Sequence, residues 1–217
     1  MTEKIFVALV IPAFNEAATI GEVVRGAKAH VPLVVVVDDH SIDRTGEMAR
    51  IAGAELVSHR VNRGYDSSID DGFQKALELG ATHVITFDAD GQHQAKDLPH
   101  FLEAFSRGVE ALAGERAHLT HPAEIIFSWY SRARFGIGDP LCGMKGYSAR
   151  IYRACGPFDS LQSIGTQLLF RAIRSGAHFE RVPIEVLDRK DTSRFYHLRL
   201  RGNLKILRAL WRVMTQL

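Results

Sequence analysis

Apolar runs and polar stops alternate along the chain at short, regular intervals. Ile5 to Ile11 is continuously apolar and is stopped by Pro12 and then Asn15-Glu16, which predicts a buried first strand. Ile20, Val23, Val24 and Ala27 follow at helical spacing. Leu33 to Val37 predicts a second buried strand, closed by Asp38-Asp39-His40-Ser41. Asp43 can cap the next helix, whose apolar face would include Met48, Ile51 and Ala52. Ala54 to Val57 reads as a third, short strand. Gly64 to Leu79 reads as a helix with Tyr65, Ile69, Phe73 and Ala76 on one face. Gly80 ends that helix, and Val84-Ile85-Thr86-Phe87 predicts a fourth strand running straight into Asp88-Ala89-Asp90-Gly91.

Strands alternating with helices over short connections predict a parallel sheet covered by helices on both faces. The carboxyl ends of its strands lie on one edge, where open α/β sheets place ligands. Three of the first four strands end in acidic or amide residues, Asn15-Glu16, Asp38-Asp39 and Asp88-Asp90, so these clusters should meet in one cleft. On extended backbone Asp88 and Asp90 point the same way. Two such carboxylates repel unless a cation lies between them, and Mg²⁺ or Mn²⁺ holding a phosphate is the reading this favours. A polar turn with an aspartate cap is the alternative for Asp-x-Asp-Gly alone. The two other acidic strand ends tip the balance toward the metal.

Beyond the fourth strand, Asp97 to Ser106 predicts a helix and Val109 to Ala113 a short strand. Ala123 to Phe135 carries Phe127, Trp129, Tyr130 and Phe135 with Arg132 and Arg134 interleaved, either a packed helix or an interfacial, acceptor-contacting one. Gly136 to Gly146 holds four glycines around Asp139-Pro140 and reads as a loop. Gln162 to Ser175 predicts a helix and His178 to Glu185 an extended segment. From Tyr196 onward Leu200, Leu204, Leu207, Trp211 and Met214 share one helical face, with Arg199, Arg201, Lys205, Arg208 and Arg212 around the rest. That pattern fits membrane-surface attachment, and equally an ordinary helix packed on the domain.

Composition narrows the classes. With 217 residues, 46% hydrophobic and 24% charged, the chain suits one globular domain at 1–195 with a basic amphipathic helix at 196–217. A net charge of +2 gives no reason to expect nucleic acid. Cys142 and Cys155 lack a metal-binding spacing and read as reduced thiols of a cytoplasmic protein. The N-terminus does not read as a signal peptide, and no apolar run approaches the ~20 residues of a membrane span. The expected location is the cytoplasm, at or near the cytoplasmic face of a membrane.

Taken together, Val10-Ile11-Pro12-Ala13-Phe14-Asn15-Glu16, Val37-Asp38-Asp39-His40-Ser41, Asn62-Arg63-Gly64, Asp88-Ala89-Asp90-Gly91, Asp139-Pro140-Leu141-Cys142-Gly143-Met144-Lys145 and Asp188-Arg189 through Ser193-Arg194 resemble family 2 glycosyltransferases of the GT-A fold. Within that family they are similar to the dolichyl- or polyprenyl-phosphate mannosyltransferase branch. The resemblance implies a donor such as GDP-mannose or a UDP-sugar, a polyprenyl-phosphate acceptor and a Mg²⁺ or Mn²⁺ cofactor; a saccharide hydroxyl is the alternative acceptor. It implies that Pro12, Phe14, Asn15 and Glu16 cradle the nucleotide and that Asp38 accepts the imino hydrogen of the base. Asp39 would shape the turn or reach the ribose, and Arg63 would belong to a segment closing over the nucleotide. Asp88, with Ala89, would lie against the ribose and sugar, and Asp90 would coordinate the metal, with Asp88 beside it. Asp139 falls at an acidic position near the acceptor. Lys145, where the branch commonly has arginine, would join Arg189, Ser193 and Arg194 in holding phosphate groups.

The chemistry is coherent. Charge growing on a departing diphosphate is stabilised by the metal on Asp90 and by Arg189, and displacement from the opposite face inverts the anomeric centre. A hydroxyl nucleophile would need Asp139 as base, whereas a polyprenyl phosphate is already anionic. A haloacid-dehalogenase-like phosphatase would place Asp-x-Asp-Gly after the first strand, not the fourth. A Rossmann dehydrogenase would need a Gly-x-Gly-x-x-Gly turn that is missing. A non-catalytic nucleotide-binding module would leave the acidic and basic positions idle.

Overall fold

The structure is a computed structural model and describes residues 4–119, 121–187 and 199–217. Its elements are β1 (Val7–Ala13), α1 (Ile20–Lys28), β2 (Leu33–Asp38), α2 (Thr45–Ile51), β3 (Glu55–Ser58), α3 (Tyr65–Glu78), β4 (His83–Thr86), α4 (Leu98–Ser106, after a 3₁₀ turn at Ala95–Asp97), β5 (Ala111–Arg116), α5 (Pro122–Phe135), β6 (Lys145–Ser148), α6 (Ala149–Cys155), α7 (Gln167–Arg174), β7 (Phe179–Ile184) and α8 (Arg199–Gln216). The strands form one seven-stranded sheet in the order β3-β2-β1-β4-β6-β5-β7. β1 to β4 are mutually parallel, as are β5 and β7, and β6 runs antiparallel between β4 and β5.

Period-two alternation of buried apolar residues divides the core into two layers. Ala8 and Val10 of β1 and Val35 and Val37 of β2 face α3, which contributes Ile69, Phe73 and Ala76. Leu9, Ile11, Val34 and Val36 face α1 and α4, which contribute Ile20, Val24, Leu98 and Phe101. Each fully buried side chain of this size stabilises the fold by roughly 1.5–3 kcal/mol, so the two layers anchor the edge on which β1, β2 and β4 end. α5 and α8 join the α3 layer through Phe127, Ile206, Ala209, Leu210 and Val213. Asn203 Oδ1 accepts the Ala123 N–H at 3.3 Å and pins α8 to the start of α5.

Several expectations need correction. The expected loop Gly136–Gly146 gives way to β6 at Lys145, and α6 had no counterpart in the sequence reading. α7 begins at Gln167, not Gln162, because Gln162, Ile164 and Gly165 adopt positive φ (52°, 58° and 69°) in a turn whose N–H groups converge on Asp159. In α2 it is Ala49 that packs inward while Ile51 is exposed. Asp43 precedes the N-cap Arg44, yet it still accepts the Thr45 N–H at 3.0 Å, so its helix-starting role stands one residue early. The domain boundary at 195/196 lies outside the described residues.

Candidate active site

The carboxyl edge of the sheet gathers the first two acidic clusters through a mesh of short hydrogen bonds. Asn15 sits at φ 55°, a left-handed conformation that asparagine tolerates. Its N–H donates to Ser41 Oγ at 2.9 Å, and its Oδ1 accepts the Ile42 N–H at 2.9 Å. Glu16 N–H donates to Thr45 Oγ1 at 2.8 Å. The half-buried loop of Pro12, Phe14, Asn15 and Glu16 is thereby locked to the loop after β2. Asp38 accepts the Ser41 N–H at 3.0 Å, and a Cβ on Gly46 would stand 2.7 Å from its Oδ2, so only glycine lets α2 approach this carboxylate.

Asp39 has a different task. It is buried, and its oxygens accept from Arg63 N–H (2.7 Å), Gly64 N–H (2.8 Å) and His59 Nδ1 (2.7 Å). Burial alone would raise its pKa, but these donors outweigh burial and hold the carboxyl below the usual carboxylate range. The opposite ring nitrogen, His59 Nε2, lies 2.9 Å from Asp71 Oδ2 without the alignment of a hydrogen bond. Arg63 reaches Asp71 as well, at 2.5 Å. Asp39 thus shapes the turn and presents the Asn62-Arg63-Gly64 segment to the cleft.

Asp88 and Asp90 follow β4 and are both half-buried. Asp88 Oδ1 accepts from the Tyr65 hydroxyl at 3.2 Å. Its N–H donates to His93 Nδ1 at 3.3 Å, which also lies 3.6 Å from Oδ2. A Cβ on Gly143 would fall 2.2 Å from Asp88 Oδ2, so this glycine is a requirement of the carboxylate's position. Asp90 Oδ1 accepts the Gln92 N–H at 3.0 Å, and the Ala89 carbonyl accepts from Thr19 Oγ1 at 2.8 Å. Two carboxylates one residue apart, with backbone held by His93 and Thr19 and side chains by Tyr65 and the Gln92 N–H, are a fitting donor set for a hard divalent cation. Among the described residues no three His, Cys, Asp or Glu side chains cage an ion, so a cation here would complete its shell with phosphate oxygens and water.

The remaining expected site residues are placed less uniformly. Asp139 is buried and gripped by Arg116, whose Nε and NH2 donate at 2.6 and 2.9 Å to its two oxygens. Burial would lower the Arg116 pKa, but Asp139 overrides this and raises it. Lys145 points inward: it is buried, Nζ donates to the Cys142 carbonyl at 2.5 Å, and burial lowers its pKa. The Cys142 thiol is likewise buried and pushed up to about 12, a packing group as expected. Arg189, Ser193 and Arg194, with Asp188, lie outside the described residues. The sequence reading missed Arg116, His59, Tyr65 as an Asp88 partner, and His93. Each is a single polar residue near a strand end or helix start, a signal shared by ordinary surface positions.

Comparisons with known proteins bear on the family and the fold. Residues 8–122 match the family described as Glycosyl transferase family 2. An undecaprenyl-phosphate mannosyltransferase of Micrococcus luteus is 31% identical over 85% of this chain and 84% of its own length. A polyprenol monophosphomannose synthase of Mycolicibacterium smegmatis is 28% identical over 84% of this chain and 77% of its own. In three dimensions the chain is similar to glucosyl-3-phosphoglycerate synthase of Mycobacterium tuberculosis, solved with Mn²⁺, UDP and glucosyl-3-phosphoglycerate. The TM-score is 0.76 at 19% identity, covering 95% of this chain and 79% of that one, a likeness of fold alone. The chain belongs to the family 2 glycosyltransferases and has their GT-A fold.

Proposed function

We propose that this glycosyltransferase moves a sugar from a nucleoside diphosphate, as in GDP-mannose or a UDP-sugar, to a polyprenyl phosphate, with inversion and with Mg²⁺ or Mn²⁺. Support comes first from one observation: Asp38, Asp88 and Asp90 converge on one edge of the sheet, each held by neighbouring groups before any ligand arrives. Such preorganisation suits stabilisation of charge that develops during reaction. Asp38 would accept the imino hydrogen of the base, and the Pro12–Glu16 loop would cradle the nucleotide. Arg63 and Gly64, fixed by Asp39, would close over it. Asp88 would meet the ribose and sugar, while Asp90 and Asp88 would hold the cation. When bound, that cation supplies positive charge opposite the departing diphosphate.

The acceptor is argued from Asp139. A general base must reach the proton it takes, and Asp139 is buried with both oxygens turned to Arg116. An anionic phosphate nucleophile needs no base, which favours the lipid acceptor named in the mannosyltransferase relatives over a saccharide hydroxyl. Asp139 then acts by orienting Arg116 and the loop that carries Gly143. Arg189, Ser193 and Arg194 would gather phosphate groups. No described helix is long and apolar enough to cross a membrane. The 196–217 segment would instead rest on the membrane surface, beside the exposed Ile125, Ile126 and Trp129 of α5.

A thermal-shift panel of nucleotide sugars with and without Mn²⁺ tests the donor site, since a ligand that binds only the native state raises the melting temperature. A metal-dependent shift with one nucleoside diphosphate sugar is expected; no shift with any of them would remove the donor assignment.

A further inference from the structure

Helix α8 carries two chemically distinct stripes besides the one it buries. At ~100° per residue, Ile206, Ala209, Leu210 and Val213 face the core. Leu204, Leu207, Trp211 and Met214 form an outward apolar stripe, exposed by 47%, 39%, 63% and 58%. Lys205, Arg208 and Arg212 form a basic stripe beside it. A cavity of about 420 Å³ opens between this basic stripe and the Asp159–Gly165 turn, lined by Gln162, Leu204, Lys205, Arg208 and Arg212. Among the described residues its lining holds three cations and no carboxylate.

The cavity is built rather than incidental. Arg212 NH1 donates to the Leu161 carbonyl at 3.3 Å and to Gln162 Oε1 at 2.7 Å, so the turn fixes one guanidinium at the rim. That turn is in turn held by Asp159, which accepts N–H groups of Leu161, Ser163 and Gly165. Asp66 is a carboxylate in electrostatic reach of Lys205; burial pushes it up to about 7, so near neutrality it offsets only part of the positive charge.

We propose that this cavity is a headgroup site: Lys205, Arg208 and Arg212 hold the phosphate of an anionic bilayer phospholipid while Leu204, Leu207, Trp211 and Met214 enter its acyl layer. Charge complementarity selects the occupant, because the three lining cations adjoin an exposed apolar stripe on the same helix. None of the site's described lining residues is among those that hold Asp88 or Asp90. It rests on the membrane-surface part of the proposed function, to which it adds a lipid preference, and it does not depend on the donor or acceptor. Each cation near an anionic surface contributes about fivefold to partitioning.

The test is sedimentation of the full chain with vesicles of phosphatidylcholine alone, phosphatidylcholine with phosphatidylglycerol, or phosphatidylcholine with polyprenyl phosphate, and competition by inorganic phosphate. Wild type is expected to prefer the phosphatidylglycerol vesicles. The double variant Lys205→Ala/Arg208→Ala should lose about 25-fold of that partitioning, with circular dichroism and the nucleotide-induced thermal shift unchanged. Trp211→Ser should weaken binding to both phosphatidylcholine and phosphatidylglycerol vesicles. Equal binding of the double variant and wild type to phosphatidylglycerol would overturn the site while leaving surface attachment intact. A preference confined to polyprenyl phosphate, or displacement by millimolar inorganic phosphate, would overturn it too, assigning the cavity to the acceptor or to a free anion. Absence of binding to every vesicle would remove surface attachment and the site together.

Discussion

On the β1–β4 side of the molecule, the carboxylates that end β2 and follow β4 are held largely by backbone N–H groups and hydroxyls. On the β5–α8 side, cations are held by carboxylates and carbonyls. Asp38, Asp39 and Asp90 all accept backbone N–H groups, an arrangement that aims them without cancelling their charge. Arg116 and Lys145 are instead spent internally, one on Asp139 and one on the Cys142 carbonyl. The first region can therefore present negative charge to a cation-bearing ligand. In the second, Arg181 of β7 shares its cavity with Glu115 and Glu180, whereas the described lining of the α8 cavity carries Lys205, Arg208 and Arg212 alone as charged groups. A charge at the end of a motif, such as Lys145, is no guide to which of these two duties it performs.

Breaking the first region should have the largest effects. Asp90→Ala is expected to lower sugar transfer by about 10²–10³-fold, in the range lost with a preorganised electrostatic group, while circular dichroism stays native. Gly143→Ala would drive a methyl group into Asp88, 2.2 Å from Oδ2. Displacing a site group by about 1 Å costs on the order of 100-fold in rate, so kcat should fall by that factor even though no charged residue has changed; steady-state kinetics checks it.

Between the regions lies Asp66, whose Oδ1 is buried without a hydrogen-bond partner and whose pKa burial and Asp159 raise from 3.8 to about 7. The folded state then binds more protons than the unfolded state between those values, so Asp66 disfavours folding increasingly as pH rises from about 4 through 7. At about 1.4 kcal/mol per pH unit the full gap would slightly exceed about 4 kcal/mol, and partial solvent contact reduces the expected value to about 2. Asp66→Asn should accordingly gain about 2 kcal/mol relative to wild type at pH 8 and almost nothing at pH 4. Urea denaturation at the two pH values measures it, and a gain independent of pH would place the effect elsewhere. The smallest effect belongs to the outer stripe of α8. Trp211→Ser should change stability by less than about 0.5 kcal/mol, as for exposed sites generally, and thermal melting checks it.

The two regions also differ in how much the sequence disclosed. β1, β2 and β4 were legible because strands buried on both faces are near-continuous apolar runs, and their acidic ends stand out against them. β6 was not: Lys145-Gly146-Tyr147-Ser148 contains a buried ammonium and a glycine, and it is inserted antiparallel where periodicity suggested a loop. α6 is 7 residues long with only Ala149, Ile151 and Cys155 buried, too short for a helical period to emerge. Asp88, Asp90 and Asp38 could be named in advance because motif and position agreed. Arg116 could not, since the ion pair that gives it meaning joins residues 23 apart in sequence.

The central claim is that the Asp38–Asp88–Asp90 edge is a metal-dependent sugar-donor site serving a lipid phosphate. The most direct measurement is transfer of labelled sugar from GDP-mannose and UDP-sugars to a polyprenyl phosphate, by wild type and Asp90→Ala, with Mn²⁺ or with a chelator. Expected is an organic-extractable glycosyl phospholipid formed by wild type with Mn²⁺ and lost on chelation or in Asp90→Ala. Transfer undiminished in Asp90→Ala, or equal with chelator present, would contradict it.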